Sequence, residues 1–301
     1  MRFNLPVLVY QEKNCVHNHA DEIAQMGKNA LIVTGRNSSK KNGSLDDVIN
    51  ALKSKNIKYT VYDGVEENPS VETVMEAREI GVKAGCDFII GIGGGSPMDA
   101  AKAIGVMIYH KNENKDFLYK SVSDSQSLPV IEVPTTCGTG SEVTTVAVLT
   151  VHNEKTKKSM SHRIFPRMAL VDEKYIKNAP LKVICDTAID ALAHIVESCI
   201  NNNATEYSKM FAKEGLEAWS KFKDVLLGNR EATDEDFHNM MYASTLAGMC
   251  IAHAGTSLPH GLSYPITYEL GIPHGKAVGY FLPGYINEAT DEDKEFVLKA
   301  A

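Results

Sequence analysis

The chain has 301 residues, of which 44% are apolar and 23% are charged, and its formal net charge is −7. This composition excludes a disordered or fibrous protein, and an acidic balance without a basic block excludes nucleic acid as the main partner. The six cysteines lack CxxC spacing, the N-terminus has no signal-peptide pattern and no apolar run could span a membrane, so we expect a reduced, cytoplasmic protein with no membrane partner.

The first half of the chain alternates apolar strand-like runs with amphipathic helical patterns, which predicts a parallel sheet covered by helices. FIIGIG is apolar on both faces, as expected for a strand buried between two helical layers. The predicted strands cover residues 29–35, 57–64, 86–94 and 128–136, and the predicted helices between them cover residues 44–54 and 70–84.

A glycine-rich turn follows the third predicted strand, in the sequence GGGSPMDAAKAIG. Gly93, Gly94 and Gly95 allow close backbone approach, and the helix that starts near Ser96 and Pro97 would offer free N–H groups to an anion. The turn is therefore a candidate diphosphate cradle, although an ordinary tight turn from strand to helix would also explain it.

A second loop, VPTTCGTGSEVT, ends the last predicted strand and is rich in hydroxyl groups. Thr135, Thr136, Thr139 and Thr144 could bond phosphate, ribose or the nicotinamide amide. Ligands of α/β sheets bind at the carboxyl ends of parallel strands, and two such loops there predict a dinucleotide site.

The first predicted strand leads into RNSSKKNG and not into a GxGxxG fingerprint. No carboxylate is present among the next four residues, Arg36, Asn37, Ser38 and Ser39. These side chains suit a 2′-phosphate, which favours NADP over NAD. Asp63 closes the second predicted strand, where an acidic residue could instead hold a free ribose 2′-hydroxyl or simply form a turn. NADP remains the favoured cofactor.

After residue 172 the pattern changes to long amphipathic helices, so we predict a dinucleotide-binding domain over residues 1–179 and a helical domain over residues 180–301. Thr233 and Asp236 are predicted to cap one helix, and Thr290 and Asp293 another. The last predicted helix runs to the end of the chain, which leads us to expect a shortened helical domain.

A candidate metal site begins with Asp190 and His194, whose spacing of four residues places both side chains on one helix face. Such a pair alone is usually a surface or capping interaction. His260 and His274, each between a proline and a glycine, complete a set of one carboxylate and three imidazoles that suits a divalent first-row metal. Histidines in polar stretches are expected to be solvated: His110, His152, His162 and His238.

The chain resembles the iron-containing (group III) alcohol dehydrogenase family in four motifs that occur in the same order. The motifs are GGGSPMDAAK, PTTCGTGSEVT, DALAH and the repeated PHG. The resemblance covers residues 31–283, and the TGRNSSKKNG segment is similar to the NADP-preferring, butanol dehydrogenase-like branch. It implies an α/β plus all-α architecture, with a Rossmann-like nucleotide-binding domain followed by a helical domain as in dehydroquinate synthase. The implied activity is hydride transfer between NAD(P)(H) and a small primary alcohol or aldehyde, in a homodimer.

By the same resemblance, the metal ligands and catalytic residues are Asp190, His194, His260 and His274, holding Fe²⁺ with Zn²⁺ as the alternative. NAD-preferring members carry an acidic residue where Gly35 stands. The residues implied to contact the cofactor are Gly93 to Ser96, Asp99, Thr135, Thr136, Thr144, Lys158 and, near the adenine, Asn68.

Two departures from the family pattern stand out. Tyr264 occupies a position where many members have a further histidine, and many members continue for several helices beyond the equivalent of Ala301. Two other functions therefore remain open: a metal-dependent lyase of the dehydroquinate synthase type, and a nucleotide-binding protein without catalytic activity.

Overall fold

The computed structural model describes residues 3–300, which form two compact units. The sheet unit comprises residues 6–135 and 141–175, and the helical unit combines Thr136–Gly140 with residues 3–5 and 176–300. The short segment Thr136–Gly140 thus belongs to the helical unit although it lies within the first half of the chain. The domain division at residue 180 stays a prediction.

The sheet unit contains eight strands within the described residues. They are β1 (Leu8–Gln11), β2 (Asn29–Gly35), β3 (Lys58–Val65), β4 (Phe88–Gly93), β5 (Val130–Pro134), β6 (Val148–Val151), β7 (Thr156–Ser159) and β8 (Met168–Val171). Six of them form a parallel sheet at the centre of the unit, with strand order β1-β8-β5-β4-β2-β3. A separate antiparallel pair is made by β6 and β7.

Helices cover both faces of this sheet. They are α1 (Cys15–Asn18), α2 (Ala20–Ala24), α3 (Ser38–Lys41), α4 (Ser44–Ser54), α5 (Val71–Ala84) and α6 (Gly95–Tyr109). Alternate residues of each strand enter different cores: Ile32 and Ile90 pack with residues of α1 and α4, whereas Leu31 and Ile89 pack with residues of α5 and α6. The predicted α/β architecture, a parallel sheet buried between two helical layers, is confirmed.

The sequence-based prediction missed two strands of the sheet, β1 and β8. Each has four residues, LVYQ and MALV, and β1 is a half-exposed edge strand. Such short runs show no clear period of two, and their strand character comes from pairing with each other and with β5. The longer β2 was predicted with its observed bounds because Gly35 and the polar residues after it end the apolar run.

The helical unit contains eight helices within the described residues. They are α7 (Leu181–Ile200), α8 (Glu206–Ser220), α9 (Lys223–Leu226), α10 (Asp234–Ala254), α11 (Leu258–Leu270), α12 (His274–Gly279), α13 (Leu282–Asn287) and α14 (Asp291–Ala300). The predicted cap of α10 is confirmed, since Thr233 and Asp236 form a reciprocal capping box. None of the helices within residues 3–300 has the length and apolar character to cross a membrane.

Candidate metal and nucleotide sites

Helix α7 carries the first two candidate metal ligands on one buried face. Asp190 is 2% exposed and His194, one turn later, is 5% exposed. The Nε2 atom of His194 lies 4.0 Å from Oδ1 of Asp190. The spacing of four residues therefore places the two side chains together, as predicted.

Two further histidines reach the same carboxylate oxygen from α11 and α12. The Nε2 atom of His260 lies 3.4 Å and that of His274 3.7 Å from Oδ1 of Asp190. One ligand atom each of Asp190, His260 and His274 lies within 4.8 Å of the other two. The structure thus brings together residues that are up to 84 positions apart in the sequence.

The second nitrogen of each imidazole ring faces an oxygen acceptor. Nδ1 of His194 lies 3.1 Å from the carbonyl oxygen of Gly138, and Nδ1 of His260 lies 2.5 Å from Oε1 of Glu197. Nδ1 of His274 lies 3.3 Å from Oγ of Ser263, whose own proton goes to the carbonyl of His260. Each ring can therefore donate from Nδ1 and present the lone pair of Nε2 to a cation, as metal-binding histidines commonly do.

Two atoms at the centre of this cluster have no hydrogen-bond partner among residues 3–300, namely Oδ1 of Asp190 and Nε2 of His260. Buried polar atoms are almost always paired, so an orphaned acceptor beside an imidazole nitrogen marks a place for a ligand. A carboxylate oxygen surrounded by three imidazole nitrogens is a donor set that suits Fe²⁺ or Zn²⁺. The residues present therefore fit a divalent metal ion.

The electrostatics of the cluster also favour a positive charge at its centre. Burial disfavours ionisation of Asp190, but His194, His274 and His260 outweigh burial and hold the pKa of Asp190 well below its usual range. Burial disfavours charge on His260 as well, yet the neighbouring carboxylates of Asp190 and Glu197 raise the pKa of His260 to about 9. Burial is the main reason that the pKa of His194 is lowered.

The two Pro-His-Gly copies hold their histidines differently. Pro259 and His260 lie in the first turn of α11, whereas His274 is the first residue of α12. A Cβ atom added at Gly275 would lie 1.8 Å from the carbonyl oxygen of Asp186 on α7. Nothing lies within 4 Å of a Cβ atom added at Gly261. The second glycine is therefore required for close packing of α12 on α7, and the first is not.

The glycine-rich turn lies at the carboxyl end of β4. Gly93 ends the strand with φ +150°, Gly94 is the residue before α6, and Gly95 begins the helix. Ser96 accepts a hydrogen bond from the backbone N–H of Asn68 at 3.1 Å. The geometry combines a glycine turn with a helix N-terminus, which is the arrangement that binds phosphate in many nucleotide sites.

Asp99 and Lys102 of α6 bind the segment Ser141–Val148 and not open solvent. Asp99 accepts hydrogen bonds from Oγ of Ser141 at 2.6 Å and from the backbone N–H of Val148 at 2.8 Å. The fully buried Lys102 donates to the carbonyl oxygens of Ser141 and Val146, at 2.7 and 2.9 Å. Asp99 thus anchors this segment, and its expected contact with the cofactor stays a prediction, because each carboxylate oxygen can accept a second hydrogen bond.

Residues after β2 differ in accessibility. Arg36, Asn37 and Ser38 are exposed, but Ser39 is fully buried with its Oγ 2.8 Å from Oγ1 of Thr34. This position argues against the expected contact between Ser39 and a 2′-phosphate. Asp63 forms an ion pair with Lys40. The hydrogen bond from Lys40 is the main reason that the pKa of Asp63 is lowered.

The remaining predicted cofactor residues lie in different surroundings. Thr135 and Thr144 are buried in the sheet unit, while Thr136 and Thr139 belong to the helical unit. Lys158 is exposed and pairs with Glu154 at 3.4 Å. Asn68 has a positive φ of 57°, and its carbonyl accepts a hydrogen bond from Thr150.

Sequence reasoning missed the residues that support the metal ligands. Glu197 had a readable signal, since it follows Asp190 and His194 on the same face of α7 at the next helical turn. The carbonyl of Gly138 had none, because any residue type supplies a backbone oxygen. One expectation was wrong: His162 is fully buried, with Nε2 2.8 Å from the carbonyl oxygen of Phe117, and is not solvated.

Known protein families and solved structures match most of this chain. A family model described as iron-containing alcohol dehydrogenase matches residues 6–173, and the C-terminal model of the Fe-containing alcohol dehydrogenase family matches residues 184–299. The solved structure of an iron-containing alcohol dehydrogenase from Thermotoga maritima has 40% sequence identity and a TM-score of 0.92. The superposition covers 99% of this chain and 82% of that one.

Two relatives with named activities match at lower identity. A long-chain primary alcohol dehydrogenase of Thermoanaerobacter ethanolicus and an NADPH-dependent butanol dehydrogenase of Clostridium saccharobutylicum are each 32% identical to this chain. The alignments cover 86% and 94% of this chain, but only 65% and 72% of the lengths of these relatives.

Proposed function

Since this chain belongs to the iron-containing alcohol dehydrogenase family, we propose that it is a metal-dependent oxidoreductase that transfers hydride between NAD(P)(H) and a small primary alcohol or aldehyde. One observation carries this proposal: three imidazole Nε2 atoms lie 3.4 to 4.0 Å from a single oxygen of the buried Asp190. Family membership alone would suggest the activity, whereas this cluster supplies the chemistry for it.

The metal would be held by Asp190, His194, His260 and His274. We propose that it is Fe²⁺, with Zn²⁺ as the alternative. The bound ion would supply Lewis acidity toward a substrate oxygen, and the nicotinamide would accept or donate the hydride. Four donor atoms leave a position open on a metal that accepts more than four ligands.

The protein's own contribution at this site is preorganisation. The bonds from the three Nδ1 atoms to Gly138, Glu197 and Ser263 fix the ring orientations before any ligand arrives. Asp190 supplies a full negative charge in surroundings that hold it ionised, and its burial keeps bulk water away from Oδ1. Ligands held in this way lose little conformational entropy on binding a cation.

We further propose that the turn from Gly93 to Ser96 binds the cofactor diphosphate at the N-terminus of α6. Backbone N–H groups and the helix dipole provide the attraction for the anion. The other proposed contacts are Asn68, Thr135, Thr136, Thr139, Thr144 and Lys158.

The proposed preference for NADP rests on charge at the carboxyl ends of β2 and β3. Gly35 brings no carboxylate, Arg36 is exposed beside it, and the negative charge of Asp63 is compensated by Lys40. An exposed guanidinium suits a 2′-phosphate, which a neighbouring free carboxylate would repel. The NADPH-dependent relative at 32% identity is consistent with this choice.

The substrate and assembly proposals rest on the relatives. The names of these two enzymes refer to long-chain primary alcohols and to butanol, so a primary alcohol or its aldehyde is the substrate class that we propose. A homodimer is the proposed assembly.

The function is tested with chelator-treated protein that is reconstituted anaerobically with Fe²⁺ or Zn²⁺ and assayed for NADPH oxidation with butanal. We expect no turnover without metal and turnover that saturates near one metal ion per chain. NADPH binding without turnover at full metal occupancy would indicate a nucleotide-binding protein without catalytic activity. Failure with a broad aldehyde panel, together with turnover of a lyase substrate, would favour the dehydroquinate synthase type.

A further inference from the structure

A carboxylate outside the ligand set joins α7 to the segment that carries His260. Oε1 of Glu197 lies 2.5 Å from Nδ1 of His260, and its Oε2 accepts a hydrogen bond from the backbone N–H of Ser257, just before α11. Glu197 is fully buried, so both bonds form away from solvent. Its two oxygens thus fix the start of α11 and the ring of the third residue of that helix.

We infer that Glu197 is a positioning residue of the metal centre, whose carboxylate aims Nε2 of His260 at Asp190 and adds the buried negative charge that strengthens cation binding. This inference rests on the proposed metal site. It assigns to Glu197 a role in metal affinity that is separate from direct ligation.

The geometry of α7 supports this role. Asp190 and Glu197 are seven residues apart, so about two helical turns separate carboxylates on the same face. The His260 ring fills the gap between them, with Nε2 toward Asp190 and Nδ1 toward Glu197. The ring also stacks on His194, with centroids 4.4 Å apart and planes 19° apart. A ring bonded at Nδ1 and stacked on one face has little freedom to turn away from the centre.

The three imidazoles do not have equivalent supports. The Nδ1 atoms of His194 and His274 face the neutral oxygens of Gly138 and Ser263, whereas Nδ1 of His260 faces the carboxylate of Glu197. A carboxylate acceptor makes the opposite ring nitrogen more basic than a neutral acceptor does. We therefore expect the charge of Glu197 to affect metal affinity more than the hydroxyl of Ser263 does.

Two other side chains, one in α7 and one directly after it, hold the same turn without touching a histidine ring. Oγ of Ser198 donates to the carbonyl of Gly255 at 3.1 Å, and Nδ2 of Asn201 donates to the carbonyls of Ala254 and Gly255 at 3.2 Å. Ser198 is also fully buried. Replacement of Ser198 by alanine is therefore a matched control, because it weakens the same contact between α7 and the turn but leaves the His260 ring in place.

The experiment compares wild type, Glu197→Gln, Glu197→Asp, Ser198→Ala and Ser263→Ala in the full chain. Binding of Co²⁺ is measured from its visible ligand-field absorption in competition with a chelator, and thermal unfolding is measured on the metal-free proteins. We expect Glu197→Gln to weaken Co²⁺ binding by about 10- to 100-fold and to change the absorption spectrum. Ser198→Ala should lower the melting temperature but keep wild-type Co²⁺ affinity, and Ser263→Ala should weaken binding less than Glu197→Gln does.

Wild-type Co²⁺ affinity in folded Glu197→Gln would overturn the inference, as would an equal loss of affinity in Ser198→Ala. If Glu197→Gln does not fold, Glu197→Asp decides, because its shorter carboxylate cannot reach both Ser257 and His260 and should also weaken binding. Failure of the wild-type protein to bind metal at all would instead contradict the proposed function. The two failures are therefore distinguishable.

Discussion

The proposed metal centre, formed by Asp190, His194, His260 and His274, and the proposed nucleotide loop, Gly93 to Ser96, are built from different parts of the polypeptide. In the metal centre, side chains supply every proposed ligand atom, three of them buried and that of His274 partly exposed, and each imidazole has an oxygen partner at Nδ1. In the nucleotide loop, Gly93 and Gly94 supply backbone, while the nearby side chains of Asp99 and Lys102 are used in internal bonds. One region depends on side-chain chemistry and the other on backbone conformation.

This difference determines how each region should respond to substitution. Loss of one side chain in the metal centre removes a metal ligand or leaves a buried charged group without its partner. A substitution in the nucleotide loop acts through added volume, backbone strain or added charge. Substitutions in the metal centre should therefore have larger and more selective effects.

The largest effect is expected for His260→Ala. It removes a ligand atom and leaves Asp190 and Glu197 without the group that lies between them. Loss of a residue that only supports a ligand can lower metal affinity by about 100-fold. Loss of the ligand itself should lower metal affinity by more than that and should abolish turnover. NADPH binding, measured by fluorescence, should persist.

His238→Ala is the matched control for that variant, because His238 is an exposed histidine of the helical unit. It should keep both metal affinity and turnover. Retention of full activity in His260→Ala would contradict the metal assignment, whichever way the control behaves.

Gly35→Asp tests the cofactor preference. A side chain is sterically tolerated there, since an added Cβ atom would lie 3.4 Å from the carbonyl oxygen of Val65. The new carboxylate should repel a 2′-phosphate and shift the ratio of kcat/KM values from NADPH toward NADH by about tenfold or more. An unchanged ratio would show that residues other than those beside Gly35 determine the preference.

Gly93→Ala tests the backbone character of the nucleotide loop. The φ of +150° is unfavourable for a side chain, and an added Cβ atom would lie 2.6 Å from Cγ of Pro97. Strain of about 1–3 kcal/mol should displace the first turn of α6 and weaken NADPH binding by about tenfold, with Co²⁺ affinity unchanged.

Gly85→Ala is its control, since Gly85 also has a positive φ but no atom lies within 4 Å of an added Cβ. It should lower stability without weakening NADPH binding. Equal NADPH affinities of the two variants in a titration would show that the conformation of Gly93 is not needed for the cofactor.

The smallest effect concerns Glu132, a fully buried residue of β5 whose two carboxylate oxygens have no hydrogen-bond partner among residues 3–300. Burial raises the pKa of Glu132 well above its usual value, against the opposing effect of Lys102. A raised pKa in the folded state stabilises the protein below the unfolded-state pKa, and this contribution is lost as the pH rises through the folded-state pKa.

Glu132→Gln should therefore increase the free energy of unfolding more at pH 8 than at pH 5, because glutamine stays neutral at both pH values. Urea unfolding at both pH values measures the difference. Glu72→Gln, which alters an exposed carboxylate paired with Lys115, should give no such gain. A loss of stability at pH 8 in Glu132→Gln would mean that Glu132 is ionised in the folded protein.

The sequence predicted long and strongly patterned elements best. Strand β2 and helix α4 have the predicted bounds, because turn residues such as Gly35 and Gly43 stop the apolar pattern. Strands β1 and β8 were missed because four residues carry too little pattern, and pairing between distant segments makes them strands.

The candidate site was predictable where side-chain identity mattered. Asp190 and His194 follow from helical spacing, and the two Pro-His-Gly copies drew attention to the other histidines. Burial was harder to predict, because neighbours in space determine it. Ser39 and His162 are fully buried although polar residues surround them in the sequence.

We propose above all that one catalytic metal ion is held together by Asp190, His194, His260 and His274. Crystals of the protein reconstituted with Zn²⁺ test this metal site directly, through an anomalous difference map at the zinc edge. We expect one strong peak about 2.0–2.2 Å from Oδ1 of Asp190 and from the three Nε2 atoms. A fully loaded, active protein whose only peak lies away from these four atoms would rule out the proposed site.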